Sequence, residues 1–340
     1  MANARVGPRR RARSASRPVR GRMHRLYPAS TAITRDCIQT RDGQYQLPIS
    51  VYGNPDGLPV VCLHGGPGAG TSPHMHRFFD AARFRILCFD QRGSGDSTPL
   101  GGLTENTTEH LLDDIEHLAT HVGFKRFALF GGSWGATLAL LYAQRHPEHT
   151  LGLILRGLFL ASVSDIDWLY FEARDGYPRA WQDFTAPIGG DASSADAVFS
   201  GYERVLNSPD PFLRKRAARA WNLWEYRLSI CDESAKPKGD MTLSQEYAMA
   251  RIEHHYISQS CFIDSNVLLN QMSELQDIPG YLVHGVLDDV CRVSNAEALK
   301  AHWPTLHLDV LPNASHCAFS DETSTSLCKA TAQLASRYGH

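Results

Sequence analysis

No stretch of this 340-residue chain approaches the ~20 consecutive apolar residues that a bilayer-spanning helix needs. The nearest candidate, residues 151–161, is interrupted by Arg156. The eight cysteines show no C-x-x-C or other ligand-like spacing, which argues against a zinc site or a disulfide framework. Cys62 and Cys88 instead sit inside strand-like patterns as small core residues, suiting a reducing, cytoplasmic compartment. Internal repeats are absent. Acidic residues are missing from positions 1–25, where nine arginines stand (5, 9, 10, 11, 13, 17, 20, 22 and 25). No apolar segment follows them, so a secretory signal is excluded, and Gly7, Pro8, Pro18 and Gly21 break any amphipathic helix. We expect a disordered tail there, or a start at Met23. Without those nine, 25 basic residues face 36 acidic ones, a body near −11 that favours cationic ligands and disfavours nucleic acid.

What is present is a serine in a glycine-flanked turn. Gly131-Gly132-Ser133-Trp134-Gly135 follows the short apolar run 127–130 and precedes a helix-favouring stretch that Pro147 ends. Strand, turn and helix in that order make G-x-S-x-G a nucleophile elbow: the strained serine backbone needs glycine neighbours, and its hydroxyl is held clear of the sheet. Two more Gly-rich loops follow strand patterns. One is His64-Gly65-Gly66-Pro67-Gly68 after 59–63, the other Asp90-Gln91-Arg92-Gly93-Ser94-Gly95 after 84–89. The first can bring a backbone N–H toward the serine, which with the N–H of Trp134 would form an oxyanion hole.

A nucleophilic serine needs a base, and the base an orienting acid, which in an α/β-hydrolase follow in the order Ser, Asp or Glu, His. The run 281–285 is a late strand candidate with Asp288 and Asp289 after it. His316 follows the last strand candidate, 306–311, and precedes the last helix, a place no other of the 16 histidines holds. His64 and His284 read as strand-end residues bonding their own loops. An Asp42-Gly43 turn joins a leading hairpin, 37–41 and 46–52. Apolar residues at 111, 112, 115, 118, 119 and 122 keep a helical period, with Asn106 as its expected N-cap and Glu109 three residues on. Between 161 and 276 strand patterns stop, and helical, Trp- and Arg-rich stretches such as 210–226 and 243–256 take over. The expected organisation is therefore a tail (1–25), an α/β core with a mostly parallel sheet (26–160 and 277–340) and an inserted helical cap (161–276).

From Leu26 onward the chain resembles the proline iminopeptidases, a serine-peptidase branch of the α/β-hydrolases. The resemblance is carried by the three glycine loops, by Leu155-Arg156-Gly157-Leu158-Phe159, and by two cap segments that generic hydrolases lack. These are Ala220-Trp221-Asn222-Leu223-Trp224-Glu225 and Ala250-Arg251-Ile252-Glu253-His254-His255-Tyr256. It implies Asp288, rather than Asp289, as the acid beside Ser133 and His316, and the amides of Gly66 and Trp134 as the oxyanion hole. Glu225 and Glu253 would bind the free α-amino group of a peptide whose first residue is proline; two converging carboxylates suit one ammonium. No cofactor or metal is implied. The chain departs from the family at Val286 and Asp96, where arginine is usual, and at His254, where asparagine is common. The same triad could serve another amide, ester or thioester, and an idle hydrolase used as a scaffold is a further alternative.

Overall fold

The structure, a computed structural model, describes residues 26–237, 241–264 and 267–340, so the Arg-rich tail lies outside the described residues. Eight strands form one sheet. They are β1 (Thr34–Gln39), β2 (Gln46–Gly53), β3 (Leu58–Leu63), β4 (Phe84–Phe89), β5 (Phe127–Ser133), β6 (Thr150–Leu158), β7 (Gly280–Gly285) and β8 (His307–Leu311). Their spatial order is β1-β2-β4-β3-β5-β6-β7-β8. The leading hairpin pairs antiparallel and adds itself antiparallel to β4, while β3 to β8 are parallel throughout.

That order contains the feature that positions a site. The chain steps from β3 outward to β4 and then returns to the other side of β3 with β5. The connections leaving β3 and β5 therefore go opposite ways, and the crevice at their carboxyl ends is where ligands bind in open α/β sheets. The loops found there are His64–Gly68 and the Ser133 elbow.

Parallel strands are covered on both faces, and their residues are apolar on both. Val61, Leu87, Leu129 and Leu155 face one buried cluster, and their neighbours Val60, Ile86, Phe130 and Ile154 face the other. The helices α1 (Thr108–His121) and α2 (Trp134–Arg145) supply the first layer. Every residue of α2 from Trp134 to Gln144 is buried, so this helix has almost no solvent face.

Between β6 and β7 the described chain is helical. It comprises α3 (Val163–Tyr170), α4 (Pro178–Thr185), α5 (Ala195–Leu206), α6 (Pro211–Ser229), α7 (Leu243–Ile257) and the short α8 (Val267–Asn270), with 3-10 turns between. Capping sets several of their starts. Ser162 and Asp165 form a capping box on α3, Thr242 and Gln245 one on α7, and Asp210 caps α6 ahead of Pro211. Tyr170, Phe184, Phe199, Tyr202, Trp221 and Trp224 interlock at the centre of these helices in stacked and edge-on contacts. They belong to the same apolar cluster as the α1–α2 face of the sheet. Beyond β7, α9 (Val293–His302) packs on one face and α10 (Asp321–Arg337) on the other.

Asn106 corrects one expectation. The residue preceding α1 is Thr107, whose side chain makes no capping bond. Asn106 is buried instead: its amide donates to the carbonyls of Arg92 and Gly102, and its Oδ1 accepts from Tyr256 on α7. It fastens the second glycine loop to α7, a role that no local pattern reveals.

Candidate active site

Ser133 ends β5 with φ 56° and ψ −125°, a left-handed conformation costly for a residue with a side chain. The glycines around it are sterically required. A Cβ on Gly131 would lie 2.1 Å from the carbonyl oxygen of Gly135, and one on Gly135 would lie 2.2 Å from that of Leu63. The elbow is thus wedged against the end of β3. Gly65 lies against it too, where an added Cβ would sit 3.4 Å from Ser133 Cβ.

The two N–H groups expected to meet an oxyanion lie in this cradle. Gly66 has φ 107°, and Trp134 is the first residue of α2, where backbone N–H groups have no partner within the helix. His64 supports the loop: its Nδ1 faces the carbonyl of Gly65 at 2.9 Å, and its Nε2 accepts from the backbone N–H of Gln91 at 3.0 Å. Burial lowers its pKa, so the ring is neutral, as its role as an acceptor requires. The strand-end reading holds for His284 as well. Its Nε2 faces the carbonyl of Cys291 at 2.9 Å, and its Nδ1 accepts from the Leu158 N–H at 3.3 Å.

His316 and Asp288 meet as a pair, with Nδ1 and Oδ2 2.7 Å apart and both residues buried. The other carboxylate oxygen of Asp288 accepts from the N–H groups of Val290 at 3.0 Å and Cys291 at 2.8 Å. Burial alone would raise the pKa of this acid. The charge and hydrogen bond of His316, then His284 and the Cys291 N–H, outweigh it and hold the carboxyl below its usual value. With Nδ1 donating to Asp288, the Nε2 of His316 is the nitrogen left for a substrate or nucleophile.

Gly157 lies against the His316–Asp288 pair, next to the strand partner of Ser133. Its neighbour Leu158 pairs with Ser133 in the β5–β6 ladder. An added Cβ on Gly157 would stand 3.0 Å from His316 and 3.2 Å from Asp288 Oδ2. Arg156, one residue earlier, donates from Nη1 to the carbonyl of His316 at 2.7 Å and packs beneath Gly132. Sequence reasoning gave neither residue a task, although an arginine and a glycine inside an otherwise apolar buried strand were a usable signal.

Glu225 and Glu253 converge from α6 and α7. Glu253 is buried and accepts from Trp221 Nε1 at 2.9 Å and Tyr170 OH at 3.2 Å. Glu225 keeps some exposure as a residue, but its Oε2 is buried and has no hydrogen-bond partner among the described residues. Desolvation, and then the charge of Glu253, push its pKa well above the usual carboxylate value; His316 and Arg156 lie near enough to oppose the rise. The two carboxyl groups approach within hydrogen-bonding reach, a contact that needs a proton between them.

Val286 is exposed, Asp96 is exposed with its N–H on Asp90, and His254 is buried with Nε2 at the carbonyl of Phe199. His146, Glu148 and His149 are the cluster of described residues whose ligand atoms could gather a metal ion. They lie past the far end of α2, a helix of 12 residues or about 18 Å from the elbow, and touch none of the groups above. Among the described residues, no helix is long and apolar enough to cross a membrane.

Residues 59–323 match the family described as alpha/beta hydrolase fold. A proline iminopeptidase of Xylella fastidiosa is 41% identical over 316 residues, covering 91% of this chain and 99% of that protein. The Arabidopsis thaliana proline iminopeptidase is 40% identical over 292 residues, covering 84% and 76%. Among solved structures, the proline iminopeptidase of Mycobacterium smegmatis superposes with a TM-score of 0.59 at 18% identity, over 90% of this chain and all of that one, a likeness of fold alone. This chain belongs to the α/β-hydrolases and, within them, to the proline iminopeptidase family.

Proposed function

We propose that this chain is a serine aminopeptidase that releases N-terminal proline from peptides through an acyl-enzyme on Ser133. The observation that carries the reading is the pair of carboxyl groups on α6 and α7, one with a buried oxygen lacking a partner, close to the His316–Asp288 pair. An ester hydrolase has no use for two desolvated acids, which repel one another and destabilise the cap. An aminopeptidase does, because a substrate ammonium offsets their charge and fixes the distance from the amino group to the scissile carbonyl.

In this reading Ser133 Oγ attacks the carbonyl while His316 Nε2 takes its proton. Asp288 keeps Nδ1 protonated and stabilises the imidazolium that forms. The N–H groups of Gly66 and Trp134 meet the negative charge that develops on the carbonyl oxygen. His316 then gives its proton to the leaving amine, and water hydrolyses the acyl-enzyme by the same route. The helical segment between β6 and β7 acts as a cap that admits a free amino end and rejects a blocked one. A cytoplasmic location is proposed on cysteine usage: five of the eight cysteines are buried, and none is in a disulfide.

A paired assay tests the reading. The purified protein should cleave Pro-arylamide and leave its N-acetylated form intact; comparable turnover of both would overturn the amine-site assignment.

A further inference from the structure

The loop that carries Asp288 is gripped from the cap on both sides of that residue. Cys231, just beyond α6, donates from Sγ to the carbonyl of Leu287 at 2.9 Å. Tyr177, ahead of α4, donates its hydroxyl to Asp289 Oδ2 at 2.5 Å. Trp168, on α3, donates from Nε1 to the carbonyl of Asp289 at 2.9 Å. Arg292, following the same loop, bonds Ser164 and lies over the Trp168 ring, and Asn295 donates to Asp165 in the α3 capping box. Leu287 and Asp289 are the chain neighbours of Asp288, so the cap holds the backbone on either side of the carboxylate facing His316. Tyr177 is buried and Asp289 partly so.

We propose that Tyr177 and Asp289 are positioning residues: their hydrogen bond latches the cap to the Asp288 loop and sets the carboxylate against His316. The proposal rests on the reading that Asp288 orients His316. Cys231 follows α6, the helix bearing Glu225, and its bond to Leu287 ties the element that would hold the amino group to the same loop. A closed cap and an aligned triad become one state.

The test uses the full chain with Tyr177→Phe, Asp289→Asn, the double variant, and Asp288→Asn as reference. We follow kcat and KM on Pro-arylamide and the rate at which a fluorophosphonate labels Ser133. Loss of about 1 Å of alignment is enough to cost Tyr177→Phe and Asp289→Asn each about ten-fold in kcat and in labelling rate, with KM within about two-fold of wild type. The double variant should be no worse than the poorer single, and Tyr177→Phe should cost nothing further in an Asp288→Asn background. A loose cap without effect on alignment would instead raise KM or lower Tm at unchanged kcat, and that result would overturn the latch. Losses that multiply in the double variant would do the same. Full activity of Asp288→Asn would sink the underlying reading of Asp288, an outcome separable from the first two. If Asp289→Asn does not fold, Tyr177→Phe, which removes a single oxygen, still decides.

Discussion

Asp288, on the loop after β7, and Glu225, on α6, are acids near the same imidazole, and their surroundings drive their ionisation in opposite directions. Desolvation raises both. At Asp288 it is overcome by His316, His284 and two backbone N–H donors. At Glu225 it is reinforced by a second carboxyl group, and Oε2 has no donor among the described residues. The acid after β7 is complete without substrate, whereas the acid on α6 has no such set of donors among the described residues. Opposite pH slopes follow by linkage. Asp288 contributes stability above its unfolded pKa that is lost as pH falls through its lowered folded value. Glu225 contributes stability that is fully present below its unfolded value and is lost as pH rises through its raised one.

The comparison can be broken in order of effect. Ser133→Ala and His316→Ala should each lower kcat by roughly 10⁴ to 10⁶ with the fold intact, since triad members act as a unit. Survival of a tenth of wild-type activity in either would remove the catalytic half of the contrast. Asp288→Asn should cost about 10⁴ in kcat on amide and ester substrates alike, because it disturbs the base that both use.

Glu225→Gln or Glu253→Gln should behave differently. A charge-assisted hydrogen bond of roughly 1.5–3 kcal/mol predicts a loss of about 10- to 150-fold in kcat/KM for Pro-arylamide. A simple aryl ester without an amine should lose far less, and equal losses on both substrates would point to a damaged cap. Glu225→Gln should also stabilise the protein, by a margin that grows as pH rises, measured by urea denaturation across a pH series. In the wild type, KM for the free amine should climb as pH falls and protonates Glu225, while ester turnover keeps its own profile; a KM that follows pH equally in the Gln variant would refute this. The smallest effect sharpens the contrast from the neutral side. Tyr170→Phe removes one supporting donor to Glu253 while leaving both carboxyl groups in place, and should cost about 3- to 10-fold on Pro-arylamide, the low end for a lost hydrogen bond.

The two regions also differ in how much of them the sequence reveals. The glycine loops, Ser133 and His316 were legible because strand, turn and helix follow one another locally, and because the elbow's steric demand leaves only glycine at fixed spacings. Asp288 was separable from Asp289 only by family resemblance. The geometry that sets them apart, 2.7 Å to His316 for one and a bond to Tyr177 for the other, comes from segments more than a hundred residues apart for the latter. Asn106 was misread for a similar reason. Its spacing to Glu109 satisfies a capping pattern, but tertiary bonds to Arg92, Gly102 and Tyr256 take its side chain first. Local rules fail where a polar side chain has a better partner across the fold, and the Tyr177–Asp289 latch belongs to the same class.

The nearly complete burial of α2 gives Ser133 an unusual setting. A helix with no solvent face cannot fray without opening the interior, so its amides should exchange with deuterium only through global unfolding, among the slowest in the molecule. Ser133 immediately precedes that helix, and the exposed loops between β6 and β7 do not share its protection. Heat or mild denaturant should therefore release the amino-end recognition first, leaving for a time a protein that still reacts with a fluorophosphonate but no longer distinguishes a free amine from a blocked one.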